Sequence, residues 1–333
     1  MLPSGCSLYV CDAGACYRLS VCGEGEMECS AIPELDCQHE EADTRMLLHA
    51  KHAAAQGFAN IVIRSPDTDV AVLACGLSHE IPATILFRTG TKHRARYIDM
   101  TSMGKKFGAD VCSALIGLHA FTGCDTTSAF VGRGKKVGFD LVVNDSPFKQ
   151  ISVNTLSMLG LHFILVSQLM KLLEAFTCRL YGSHASMSIN DVRYQQFCAR
   201  AVQSSQLPPT QDALLQHMLR ANYQAAIWRR SLVPKPDIPS PHDFGWVVNE
   251  SSISVKWMTV LPAPQALLAM ISCHCTTGCK TQRCSCRGSS LQCTDVCGCG
   301  PSCSNKEEEE DGTDDVTIGE HLDSDDSDAE GSY

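Results

Sequence analysis

Nine cysteines crowd into "CHCTTGCKTQRCSCRGSSLQCTDVCGCGPSCSN": Cys273, Cys275, Cys279, Cys284, Cys286, Cys293, Cys297, Cys299 and Cys303. Thiols at this density either cross-link or hold a soft metal. The sequence opens "MLPSGCSLYV", with no basic start followed by an apolar core. That predicts a reducing, nuclear or cytoplasmic compartment rather than secretion, and favours metal over disulfides. The Cys-x-Cys pairs are too close for independent zinc fingers. One shared cluster suits them better. Three tetrahedral Zn²⁺ ions need twelve bonds, which nine thiolates supply when three of them bridge. The segment carries almost no other apolar side chains, so metal must fold it. Lys280, Arg283 and Arg287 lie among the ligands, where they can touch phosphate. A purely structural zinc knot is the competing reading.

A second chemistry is carried by acids. "HEEADTR" places Glu40, Glu41 and Asp43 at the start of an expected helix, and "SPDTDV" places Asp67 and Asp69 after an apolar run. "TGCDTT" puts Asp125 in a turn of small residues. Each piece alone has a plain structural explanation: acids match a helix dipole, Ser65 or Asp67 caps a turn as N-cap, and a small-residue turn needs no ligand. If Glu40, Glu41, Asp67, Asp69 and Asp125 converge, their repulsion calls for a cation. Mg²⁺ or Mn²⁺ fits carboxylate oxygens, and such ions activate phosphodiester hydrolysis. Downstream, Gly132, Arg133, Gly134, Lys135 and Lys136 form a Gly-rich basic stretch suited to a nucleic-acid backbone.

The order "EEAD … SPDTD … GCD" resembles the acidic blocks of the PIN-like, flap-endonuclease type of 5′-nuclease. The resemblance covers roughly residues 38–145. It implies a parallel α/β sheet, two Mg²⁺ ions on Glu41 (or Glu40), Asp67, Asp69 and Asp125, and a DNA-gripping hairpin at "VGRGKK"; Asp43 is a weaker match. That family begins with a strand ending in Asp. Here only "LYVCDAG", with Asp12, precedes the Glu-rich helix, which predicts an N-terminally truncated or decayed core. The cysteine spacing resembles the tesmin-like CXC module and the related segment preceding SET domains, which implies three zincs and DNA binding. The combination resembles uncharacterised animal proteins derived from transposable elements.

Positioning these groups requires elements that the patterning predicts. Helical spacing marks 41–56, and "NIVIRS", "ATILFRT" and "ARYIDM" mark strands, with a helix at "ADVCSALIGLHAF". Helices are expected at 155–180, 190–203 and 210–229, the last capped by Thr210. The expected organisation is a PIN-like α/β domain over 1–150 and a helical extension over 151–230. A proline-rich linker with short strands over 231–264, a CXC-type module over 265–305 and a disordered acidic tail over 306–333 follow.

With 333 residues and 44% apolar content, the chain is long enough to bury a sizeable core. Its net charge of −10 is a property of the tail: thirteen of the 37 acids and one base lie between Lys306 and Tyr333, leaving 24 acids against 26 bases elsewhere. The most apolar run, "LSMLGLHFILVSQLMKLL", carries His162, Gln168 and Lys171, so a buried helix is expected and no membrane partner. Two functions follow: a nucleic-acid-associated, Mg²⁺-dependent nuclease-like protein with a DNA-binding zinc module, or a catalytically inactive scaffold with structural zinc.

Overall fold

The computed structural model describes residues 2–3, 5–21, 26–91, 94–144, 148–199, 204–249, 252–261, 272–276, 278–294, 297–300 and 303–306. The expected acidic tail lies outside them, apart from its first residue. Two units are separable, Met1–Val260 and Leu261–Tyr333.

The first unit begins with an antiparallel sheet of β1 (Ser7–Asp12), β2 (Ala15–Val21) and β3 (Met27–Ala31), paired in that order. A two-residue connection cannot make a parallel crossover, so β1 turns directly back onto β2. Asp12 therefore sits at a hairpin turn, paired with Ala15, and not at the end of a central parallel strand.

α1 (Ala42–Ala55) follows, then β4 (Asn60–Arg64), α2 (Thr68–Gly76), β5 (Thr84–Thr89) and β6 (Arg96–Asp99). The sheet runs β4-β5-β6; β4 and β5 are parallel across the α2 crossover, and β6 returns antiparallel. The largely parallel sheet expected from the sequence is thus a single parallel pair with an antiparallel neighbour. The short β5–β6 connection leaves no room for a crossover helix.

The remainder is helical: α3 (Met100–Phe107), α4 (Ala109–Thr122), α5 (Lys135–Val143), α6 (Lys149–Met158), α7 (Ser167–Leu180), α8 (Ile189–Ala199) and α9 (Gln211–Arg229). A small hairpin of β7 (Trp246–Asn249) and β8 (Ser252–Val255) closes the unit. One apolar cluster runs from Leu47 through Phe121 and Phe176 to Leu232, so the residues of the expected α/β domain and helical extension share a core. Among the described residues no helix is long and apolar enough to cross a membrane.

The continuous helix expected over 155–180 is broken between α6 and α7. Gly160 has φ +79°, and a Cβ there would lie 2.4 Å from the Ala225 carbonyl carbon. The Gly160 amide donates to Asn222 Oδ1 at 2.9 Å, and Asn222 Nδ2 donates to the carbonyls of His162 and Phe163 at 2.9 and 2.8 Å. The break is a docking point for α9, not a flaw in a helix.

α9 begins as expected, with Thr210 accepting from the Ala213 amide, but an apolar stripe does not describe it. Gln216, His217, Arg220, Asn222 and Gln224 are buried along with its leucines and alanines. Arg220 donates to the Gly245 and Lys256 carbonyls at 3.1 and 2.9 Å and lies near the rings of Trp246 and Trp257. The proline-rich segment wraps rather than links: His39 Nε2 meets the Val233 carbonyl at 2.7 Å, and Tyr223 donates to the Pro239 carbonyl at 2.8 Å.

Two outcomes test this frame. Gly160→Ala should destabilise the chain by more than about 2 kcal/mol in chemical denaturation, because a left-handed backbone penalty adds to a backbone clash. His217 is fully enclosed, and burial pushes its imidazole from 6.5 down to about 4. The unfolded chain therefore takes up this proton first, and stability should fall as pH drops from 6.5 towards 4. Melting curves of His217→Gln across that window should show the smaller dependence.

Candidate metal centres and the acidic site

The site-forming elements of the first unit meet at the N-terminus of α1. Glu41 is its N-cap residue, and Asp43 lies in its first turn. Asp67 caps α2 by accepting the Asp69 amide at 2.8 Å, and its own amide donates to Ser65 Oγ at 3.0 Å. That local geometry follows from "SPDTD", a serine and an aspartate each folding back on the backbone. Carboxylate oxygens of Asp43, Asp67 and Asp69 all lie within 4.8 Å of one another.

The electrostatics agree with this grouping. Burial, and then the negative charges of Asp67, Glu41, Asp69 and Asp125, push the Asp43 carboxyl up to about 6. Asp69 goes the other way. Burial pulls it up, but the His119 hydrogen bond and charge, with Lys135, outweigh that and lower it. His119 Nε2 lies 2.6 Å from Asp69 Oδ1, and Lys135 Nζ lies 3.4 Å from the same ring nitrogen. His119 comes from the last turn of α4 and is buried against Trp228, with ring centroids 5.5 Å apart.

The residues expected at this site occupy four environments. Asp67 and Asp69 stand together with Asp43. Glu41 faces the same group, but its two oxygens accept from Gln224 Nε2 at 3.2 Å and Trp228 Nε1 at 3.1 Å. Asp125 is exposed in a turn closed by Cys124 and Thr127, where Thr126 donates to Gln224 Oε1 at 2.8 Å; its charge reaches Asp43. Glu40 is exposed and lines a cleft of about 730 Å³ with Tyr223, Lys235 and Pro239, which Glu41 and Thr126 also line. Asp43, a weaker match in the sequence, joins Asp67 and Asp69, and His119, which no motif marks, meets Asp69. An acid two residues beyond Glu41 was the available signal for the first. None existed for the second, because only the α4–α2 packing brings His119 to Asp69.

The basic stretch adjoins this group. Gly132 has φ +69°, Gly134 is the N-cap residue of α5, and Lys135 and Lys136 open that helix. No side chain caps it, so the first amides of α5 point outwards beside Lys135. Arg133 instead stacks over Tyr181, 5.8 Å from its centroid. A depression of about 310 Å³ is lined by Thr68, His119, Lys135, Lys136 and Phe139.

The second unit is built from its cysteines. Eight of the nine are buried, Cys275 partly, and all nine are free thiols. Sγ–Sγ distances are 3.6 Å for Cys273–Cys279, 3.8 Å for Cys273–Cys293, 3.8 Å for Cys284–Cys293 and 3.6 Å for Cys286–Cys297. A disulfide would be about 2.05 Å. Tetrahedral Zn²⁺ with bonds of about 2.3 Å sets its sulfurs about 3.8 Å apart. Three four-cysteine groups have all sulfurs within 4.8 Å: 273/284/286/293, 273/275/279/284 and 273/279/293/299. This cluster can hold zinc. Lys280, Arg283 and Arg287 are all exposed; Arg287 also donates to the Cys279 carbonyl at 3.0 Å and braces the fold of the cluster.

No protein-family model, curated protein or solved structure matches this chain.

Asp43 yields a direct test. Without a divalent cation, Asp43→Asn should raise the melting temperature above pH 6 by removing a repelled charge. If a divalent cation occupies this group, Asp43→Asn should also reduce the shift in melting temperature that Mg²⁺ or Mn²⁺ produces in the parent, read by differential scanning fluorimetry with and without chelator.

Proposed function

We propose that this chain is a nucleic-acid-associated protein that joins a three-zinc, DNA-binding module to a nuclease-like site for one Mg²⁺ or Mn²⁺ ion. The observation that carries the zinc half is the sulfur spacing. Cys273, Cys275, Cys279 and Cys284 hold one ion; Cys284, Cys286, Cys293 and Cys297 the second; Cys273, Cys293, Cys299 and Cys303 the third. Cys273, Cys284 and Cys293 bridge. Each of the four short Sγ–Sγ distances, 3.6 to 3.8 Å, then falls inside one tetrahedron. Lys280 and Arg283 supply the phosphate contacts, and Arg287 serves mainly the module itself.

In the first unit, Asp43 and Asp67 are the proposed cation ligands with the free oxygen of Asp69, and Asp125 stands at the rim. A divalent cation there supplies Lewis-acid activation of a phosphodiester. His119 and Lys135 keep Asp69 ionised at neutral pH, and the open amides of α5 beside Lys135 and Lys136 orient a phosphate. A non-catalytic scaffold is the second reading. It is favoured by Glu41, whose oxygens accept from Gln224 and Trp228, and by Asp69, which accepts from His119.

A Mg²⁺-dependent nuclease assay on parent and Asp67→Ala separates the two readings. The hydrolase reading expects cleavage in the parent and at least about a hundredfold loss in the variant. Equal rates in the two support the scaffold. For the zinc half, Cys284→Ser should release more than one zinc per chain by elemental analysis, because two ions share that sulfur. Lys280→Ala with Arg283→Ala should weaken DNA binding across sequences and reduce the salt slope by about two.

A further inference from the structure

A second set of soft ligands lies far in sequence from the cysteine cluster, on the opening hairpin. We propose that Cys11, Cys16, His49 and Cys37 form a separate Zn²⁺ site that ties the first sheet to α1. Cys11 and Cys16 are directly opposed across β1 and β2, so their side chains leave the same face. The turn between them needs left-handed backbone at both central residues, and Ala13 and Gly14 have φ +45° and +90°. Gly14 meets this requirement without penalty, and a Cβ there would lie 2.9 Å from the Cys37 carbonyl oxygen.

The third ligand comes from the middle of α1. His49 Nε2 is 3.1 Å from Cys11 Sγ, and the donor atoms of Cys11, Cys16 and His49 all lie within 4.8 Å of one another. A tetrahedral zinc sets thiolate sulfur and imidazole nitrogen about 3.6 Å apart, so a small opening of this contact admits the ion. Cys37, whose sulfur stands outside that group of three, completes the set by a change of side-chain rotamer. Its amide donates to the Gly14 carbonyl at 2.9 Å, and its side chain is buried in one small cluster with Cys16, Leu35 and Leu48. Asp36 accepts from the Cys16 amide at 3.1 Å and holds that strand position from outside. A cavity of about 470 Å³ lined by Tyr9, His49 and Arg64 opens on the His49 side of the site.

The sheet itself supplies the second reason. Leu8, Val10, Tyr17 and Met27 are exposed, and beyond Cys16, Leu35, Cys37 and Leu48 the sheet's own cluster buries no side chain fully. Three strands with so little apolar burial are poorly anchored by packing. A metal bonded to both the hairpin and α1 anchors them. Three sulfurs and one imidazole are a common structural zinc set.

The test uses the full chain, purified under reducing conditions and loaded with zinc. Cys16→Ser and His49→Gln should each lose one zinc relative to the parent, whatever number the C-terminal cysteines hold, and His49→Cys should retain it. With Co²⁺ in place of zinc, His49→Cys should shift the visible absorption towards that of an all-thiolate site. Two results overturn the proposal: Cys16→Ser and His49→Gln both keeping the parent's zinc content, or peptide mapping of a separate preparation, alkylated at lysis without reductant, finding Cys11 joined to Cys16 as a disulfide.

Discussion

Buried polar groups must find partners, and α9 is where this chain meets that requirement. An interior helix rich in Gln, Asn, His and Arg is tenable only where its neighbours offer matching groups. Most are matched here: the broken segment after α6 offers its amide and carbonyls to Asn222, the end of α4 offers the Phe121 carbonyl to His217, and the closing hairpin offers carbonyls to Arg220, leaving His217 Nδ1 and Arg220 Nε buried without a partner. The same helix fixes the acidic site. Gln224 and Trp228 hold Glu41, and Gln224 also takes the Thr126 hydroxyl beside Asp125. Two loops that carry repelling acids are thereby held towards one another by neutral donors.

That arrangement explains why charge crowding persists at the start of α1. Left to Coulomb repulsion, Asp43, Asp67 and Asp69 would separate by a rotation of α1 or a rotamer change. Glu41 is pinned, so α1 does not swing away, and Asp67 is committed to capping α2. The repulsion that remains is expressed in Asp43, whose proton is retained up to about 6. His119 and Lys135 relieve only Asp69. This helix start carries more negative charge than matching of the helix dipole alone accounts for.

The second unit follows a different rule. It buries cysteine sulfur in place of aliphatic carbon, and its only described helix, α10 (Ser285–Gly288), is a single turn. Among the described residues its backbone holds shape through short local bonds and two long ones, from the Cys293 amide to the Asn305 carbonyl at 2.7 Å and from the Gly298 amide to the Cys273 carbonyl at 2.8 Å. Packing of that kind contributes little apolar transfer energy, so the sulfurs and what they bind decide whether it folds.

Local information in the sequence was enough for much of this. Helical spacing located α1, α4 and α9 within a residue or two, Thr210 marked the start of α9, and β-branched runs marked β4 and β5, because propensity and capping act over a few residues. Cysteine density located the zinc-compatible cluster for the same reason: its ligands are neighbours in the chain. What the tertiary structure alone decided involves partners tens to hundreds of residues apart. Gly160 breaks a run that reads as one helix because Asn222 awaits its amide. β6 turns the expected parallel sheet antiparallel because its connection is short. Asp43 rather than Glu40 joins Asp67 and Asp69, because Gln224 and Trp228 set the rotation of α1. His119 meets Asp69 only when α4 packs on α2. Such choices rest on satisfying buried hydrogen bonds and charges across the whole fold, and residue spacing does not encode them.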